Sequence, residues 1–233
     1  MNFAYSVYED SSLLVINKPD NMLIHHSFYS RNVKSKSLVE ILKSQRKDYL
    51  APVHRLDMGT SGIVIFSKSP EITRLMQKQM EERLVTKKYI ALVRGFTDEN
   101  GIVETPIREP DSDIYKEAKT IFRRISKIEL NIAVKPFPSS RYSLIELQPI
   151  TGRTHQLRKH MNKISHPIIG DKKYGNRHHN SMFENELNIS GMFLHAARIE
   201  FNHPEREEII TISAPFYEKW RKMAEKLGIE LDY

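Results

Sequence analysis

Three short stretches of this 233-residue chain set polar side chains beside glycine in ways that could serve chemistry. The first is His54-Arg55-Leu56-Asp57, followed by Gly59, Thr60, Ser61 and Gly62. The second is Lys87-Lys88-Tyr89, and the third is Thr151-Gly152-Arg153-Thr154-His155-Gln156-Leu157-Arg158. A carboxylate can attack an electrophilic carbon or take a proton. A guanidinium can pair with that carboxylate or with phosphate, and an aromatic ring can stack on a base. Each residue also has a plainer reading: Asp57 as a turn cap, Tyr89 as a half-buried strand aromatic, Arg158 as a solvated helix residue. Together they place an acid, an aromatic hydroxyl and several cations on strand ends and turns, where sites gather. That set alone names no reaction.

What the chain lacks narrows the choice. It has no cysteine, which rules out disulfides, thiolate nucleophiles and Cys-based metal sites. The pairs His25-His26 and His178-His179 diverge on regular backbone, and His155 and His160 do not share a helix face. No metal site is expected from them. There is no GxGxxG for a dinucleotide, and "GDKKYGNR" lacks the Lys-Ser/Thr that completes a phosphate loop. The aliphatic runs "LLVI" and "GIVIF" fall far short of a membrane span, and no secretory start is visible. A cytoplasmic location without membrane attachment is therefore expected. The formal net charge of +7 attracts polyanions, nucleic acid among them.

The elements that must hold these clusters can be read from pattern. "SLLVINKP" is a strand closed by Pro19, and "GIVIFSK" is a buried strand directly after the first cluster. Ser37 and Glu40 form a capping box before the face Leu38, Ile41, Leu42. Pro70 opens a second helix with the stripe Ile72, Leu75, Met76, Met80. "KKYIALVRG" is a strand ended by Gly95, while "AKTIFRRIS" and "IELNIAV" alternate as two strands of a meander. "SLIELQPI" is a strand and "THQLRKHMNKI" a helix with Leu157, His160, Met161 and Ile164 on one face. Residues 175–190 read as a polar loop, then "MFLHAARIEF" and "EEIITIS" as strands. A last helix carries Phe216, Trp220, Met223 and Leu227 and stops at Gly228. No repeat and no clean linker divides the chain, so a single domain over residues 1–233 is expected, α/β or α+β, with mixed or antiparallel pairing.

The blocks "HRLDMGTSGIVIFSKS", "KKYIALVRG" and "PITGRTHQLRKHMNKISHPIIGDKKYG" resemble the three signature blocks of RluA-type pseudouridine synthases, in the same order. "VINKPDNMLIHHS" and "MFLHAARIEFNHP" resemble the flanking blocks, so the likeness runs from about Tyr5 to Pro215. It implies an α/β core on a long, bent, mainly antiparallel sheet, with a catalytic cleft across its middle. It implies an RNA uridine isomerase that flips its target base and uses neither cofactor nor metal. Asp57 matches the essential aspartate, acting as nucleophile at C1′ or as base at C2′. Tyr89 matches the tyrosine that stacks on uracil, and Arg158 the arginine paired with the catalytic carboxylate. Arg55 matches the arginine that fills the space the base vacates. His54 and Arg153 are candidates for phosphate binding or for supporting the cleft, and Lys18 lines the cleft or snorkels at the surface.

The resemblance is strongest to a tRNA-modifying branch, with ribosomal RNA as the alternative partner. No S4-like domain is expected before the core, and a monomer is expected. The basic, aromatic "SFYSRNVKSKS" and the cations Lys116, Lys119, Arg123 and Arg124 are candidate RNA-gripping surfaces. The competing readings are a non-catalytic RNA-binding or folding factor on the same scaffold, and a nucleoside hydrolase.

Overall fold

The computed structural model of the chain describes residues 4–26, 34–110 and 112–231. The first elements are β1 (Tyr5–Glu9), β2 (Leu13–Lys18), α1 (Leu38–Gln45), β3 (Ala51–Pro52), β4 (Ser61–Ser67) and α2 (Pro70–Glu81). Then come β5 (Thr86–Arg94), β6 (Asn100–Glu104), β7 (Ile107–Arg108), β8 (Tyr115–Lys116), β9 (Lys119–Leu130) and β10 (Ser140–Pro149). The last are α3 (Gln156–Lys163), α4 (Arg177–Asn185), β11 (Leu194–Asn202), β12 (Ile209–Ser213) and α5 (Glu218–Leu227). The class is mixed α/β, with extensive, mainly antiparallel sheet flanked by helices. The chain gathers into two compact units, one of residues 1–87 with 196–215 and one of residues 88–195 with 216–233.

In the first unit the strand order is β1-β2-β4-β11, with β3 beside β4 and β12 beside β11. β2 and β4 are buried at every position, so each reads as a continuous apolar run rather than an alternation. Their register pairs Leu13 with Ser67 and brings Lys18 opposite Gly62. Leu13, Val15, Ile63 and Ile65 meet Ile72 and Met76 of α2 and Ile199 and Phe201 of β11 in one core. Two caps set the helices here. The Ser37 hydroxyl and Glu40 carboxylate close a capping box on α1, and the Ser69 hydroxyl accepts from Ile72 N–H at the start of α2. Gly62 sits at φ 109°, and a Cβ there would collide with the Ala196 backbone. The glycine that follows the Asp57 turn therefore serves strand packing.

In the second unit the order is β5-β10-β9-β6, and β7 and β8 pair as a separate ribbon. One face carries Ala91, Val93, Ile145 and Leu147 against Leu157 and Met161 of α3. Tyr142 meets Phe183 of α4 edge to face at 5.2 Å, and Phe193 meets Trp220 of α5 likewise at 5.3 Å. Each such pair adds about 0.5–1.5 kcal/mol beyond its burial.

Three expectations change. "AKTIFRRIS" and the start of "IELNIAV" are one strand, β9, and not two. The partner of Leu144 is Ser126 and that of Ile145 is Arg124, so Ile125 is a bulged extra residue that resets the alternation. The segment 175–190 is not all loop: it contains α4, capped by the Asn176 side chain, which accepts from His178 and His179 N–H. The helix "THQLRKHMNKI" begins at Gln156, because His155 adopts φ 57° and cannot be its first turn.

Candidate active site

Asp57 stands on a turn between β3 and β4, closed by Thr60 N–H donating to the Asp57 carbonyl at 3.0 Å. Buried Leu56 and Thr60 anchor the turn on either side, leaving Asp57 half-buried and Arg55 exposed. The Lys18 side chain is 0% exposed. Its ammonium donates to the carbonyls of Pro19 at 2.7 Å, Met22 at 2.9 Å and Met58 at 3.2 Å. This contradicts the reading of a snorkelling surface lysine: the β2–β4 register carries the ammonium inward, under the turn that bears Asp57.

His54 accepts from Ile65 N–H through Nε2 at 3.2 Å, which ties the turn to β4. Burial, helped by the charge of Lys87, pushes the His54 imidazole down to about 3. It is neutral at physiological pH, with Nε2 as an acceptor, which suits support of the turn better than charge pairing with phosphate. Burial also lowers the Lys87 pKa, and its Nζ lies 3.7 Å from Met80 Sδ.

In the second unit Tyr89 stands on β5 opposite Leu147 of β10, half-buried and packed on the cluster that includes Leu157 of α3. Beside it, Lys88 pairs with Glu146 at 3.3 Å. The fold thus brings Tyr89 to the apolar side of the helix that carries Arg158.

Arg158 is held by a carboxylate that the sequence reading did not single out. Its Nε donates to Asp171 Oδ2 at 2.7 Å and its Nη2 to Oδ1 at 2.9 Å, a two-bond fork. The Tyr174 ring centre lies 5.1 Å from the guanidinium carbon. Arg158 is 12% exposed and Asp171 only 1%. Burial by itself would raise the Asp171 pKa, but Arg158 and the N–H groups of Tyr174 and Lys173 outweigh it and hold it below the usual carboxylate value. Asp171 and Tyr174 belong to "GDKKYG". The available signal was an acid and an aromatic between two glycines, close behind the arginine-bearing helix.

The remaining candidates are dispersed. Arg153 donates through Nε to the Glu117 carbonyl at 3.0 Å, a strand-end contact. Lys116 pairs with Glu109 at 2.7 Å, Lys119 with Glu104, and Arg123 with Glu146 at 3.8 Å. Arg124 donates to the Thr97 carbonyl. Residues 27–33, most of "SFYSRNVKSKS", lie outside the described residues.

Residues 12–163 match the family described as RNA pseudouridylate synthase. A relative from Haemophilus ducreyi named tRNA pseudouridine synthase C is 35% identical over 95% of both chains. One of the same name from Pasteurella multocida is 36% identical over 92% of both. Among solved structures, Human RNA Pseudouridylate Synthase Domain Containing 4 superposes with a TM-score of 0.73 at 23% identity, covering 97% of this chain and 94% of that one. The human Domain Containing 1 protein gives 0.71 at 23% identity, over 92% and 84%. Motif blocks, fold and full-length relatives converge: the chain belongs to the RNA pseudouridylate synthase family, enzymes that isomerise uridine to pseudouridine in RNA.

Proposed function

We propose that this enzyme acts on a uridine of tRNA, with Asp57, Tyr89 and Arg158 as its catalytic residues and Arg55 holding the space left by the flipped base. The observation that carries the substrate is the full-length similarity to proteins named tRNA pseudouridine synthase C, about a third identical over nearly all of both chains. The reaction breaks the N1–C1′ bond, turns the uracil, joins C5 to C1′ and releases the C5 proton. N1, freed from C1′, takes up a proton in its place, so nothing is added or removed overall, and a carboxylate and a stacking platform suffice. Asp57 attacks C1′ or takes the C2′ proton, and Tyr89 stacks on the uracil. Unaided proton transfer by Tyr89 would be weak, because a phenol titrates near 10. His54 and Lys18 support the Asp57 turn, and Arg153 steadies the approach to α3. The enzyme acts as a monomer in the cytoplasm.

The test uses separate tRNA and ribosomal RNA pools carrying tritium at uridine C5. Wild type is expected to release tritium to water from tRNA. Asp57→Ala is expected to release none while binding RNA within a few-fold of wild type. Release from ribosomal RNA alone would move the substrate and keep the chemistry. No release from either, with RNA still bound, would favour a binding factor on the same scaffold, and free uracil among the products would mean a hydrolase.

A further inference from the structure

We infer that Asp171 is a positioning residue of this reaction, acting through Arg158; the inference rests on the reading that Arg158 takes part in catalysis. Four donors converge on the Asp171 carboxylate. Arg158 supplies two of them, and the backbone N–H groups of Lys173 and Tyr174 reach Oδ1 at 2.8 and 3.0 Å. The Asp171 main chain is fixed as well. Its carbonyl accepts from Gly175 N–H and from Asn180 Nδ2, each at 3.0 Å. Asn180 in turn accepts from Gly170 N–H at 2.8 Å, and Gly170 lies so close to Gly191 that no side chain fits.

A carboxylate held this way does not follow a moving partner. The arginine must come to it, and a planar fork fixes both the direction and the plane of the guanidinium. The fork uses the Nε and Nη2 edge of Arg158. Below lies the Tyr174 ring, whose hydroxyl is 3.1 Å from His155 Nδ1, just before α3 begins. Arg158 is thereby set in one orientation before substrate arrives, and a long flexible side chain need not be ordered during the reaction.

The test measures single-turnover tritium release, RNA affinity and thermal unfolding for wild type, Asp171→Asn, Asp171→Glu, Arg158→Lys and the double variant Asp171→Asn/Arg158→Lys. Lysine keeps the charge but cannot form the fork. Each single variant is expected to bind RNA within about threefold of wild type and to release tritium roughly 10- to 100-fold more slowly. The double variant should be at most about threefold slower than the slower single, since both changes remove one interaction. Should Asp171→Asn not fold, Asp171→Glu decides alone, since it keeps the charge and displaces the fork. Wild-type rates in a folded Asp171 variant, or penalties that multiply in the double variant, would overturn the inference. A wild-type rate for Arg158→Lys would do the same. A wild type that releases no tritium fails at the underlying reading, which is a different and separately visible result.

Discussion

His54 shows how a residue that looks like a ligand becomes part of the frame. Its Nε2 accepts from Ile65 N–H, so a proton on that nitrogen would break a strand contact. Folding lowers its pKa to about 3 from an unfolded value near 6.5, so the unfolded chain binds more protons between those limits. Stability from this group is full above pH 6.5 and is lost as pH falls through that window. His179, pushed to about 4 mainly by burial, has the same sign. Urea midpoints should therefore be flat above pH 7 and decline from about 6.5 to 5. Replacement of His54 by Gln should lower the midpoint at pH 7 and flatten that decline; an unchanged slope would remove His54 as its source. Among the candidate residues, Asp57, Tyr89 and Arg158 were legible as chemistry-bearing types, and the family blocks supplied their roles. Lys18 was not legible, since only the strand register shows that its ammonium turns inward. Asp171 lies inside "GDKKYG", a segment with the glycine spacing of a phosphate loop but without its Lys-Ser/Thr, and nothing local marks its carboxylate as the partner of Arg158.

At the scale of elements, the parts with local signals were readable. Ser37 with Glu40, Ser69 with Pro70, and Gly228 each mark a helix end by backbone chemistry that needs no tertiary context. The failures arose where context decides. Ile125 bulges out of β9, and the broken alternation looks like two strands. α4 hides because its sequence is polar apart from Met182 and Phe183, whose burial depends on distant partners such as Tyr142 and Phe193. Its cap was visible only in hindsight. Asn176 satisfies two backbone N–H groups at the start of α4, so Asn176→Ala should cost about 1 kcal/mol. Chemical denaturation would detect this as a lowered midpoint with unchanged slope, and no change would mean that α4 is held by packing alone.

For the molecule as a whole, the positive balance was legible from the start, but its distribution was not. Lys116 and Lys119 are paired with Glu109 and Glu104, yet both remain substantially exposed. An RNA phosphate can compete for such exposed partners, because surface ion pairs are worth at most about 1 kcal/mol. RNA affinity should fall steeply with salt, and alanine at Lys116 or Lys119 should each reduce the slope by about 1 in a log–log plot. A slope unmoved by both would exclude that surface from the RNA footprint.

The division of the chain has a consequence for its synthesis. The unit that bears Asp57 is completed only by residues 196–215, and the unit that bears Tyr89 and Arg158 only by the stretch holding Trp220. The core between β5, β10 and α3 is drawn from residues up to Leu194, but the core of the first unit waits for Ile199, Phe201 and Ile212, and Phe193 waits for Trp220. A nascent or truncated chain ending near residue 195 would carry the aspartate turn and the arginine fork together with open apolar surface, the kind of species that chaperones bind and proteases remove.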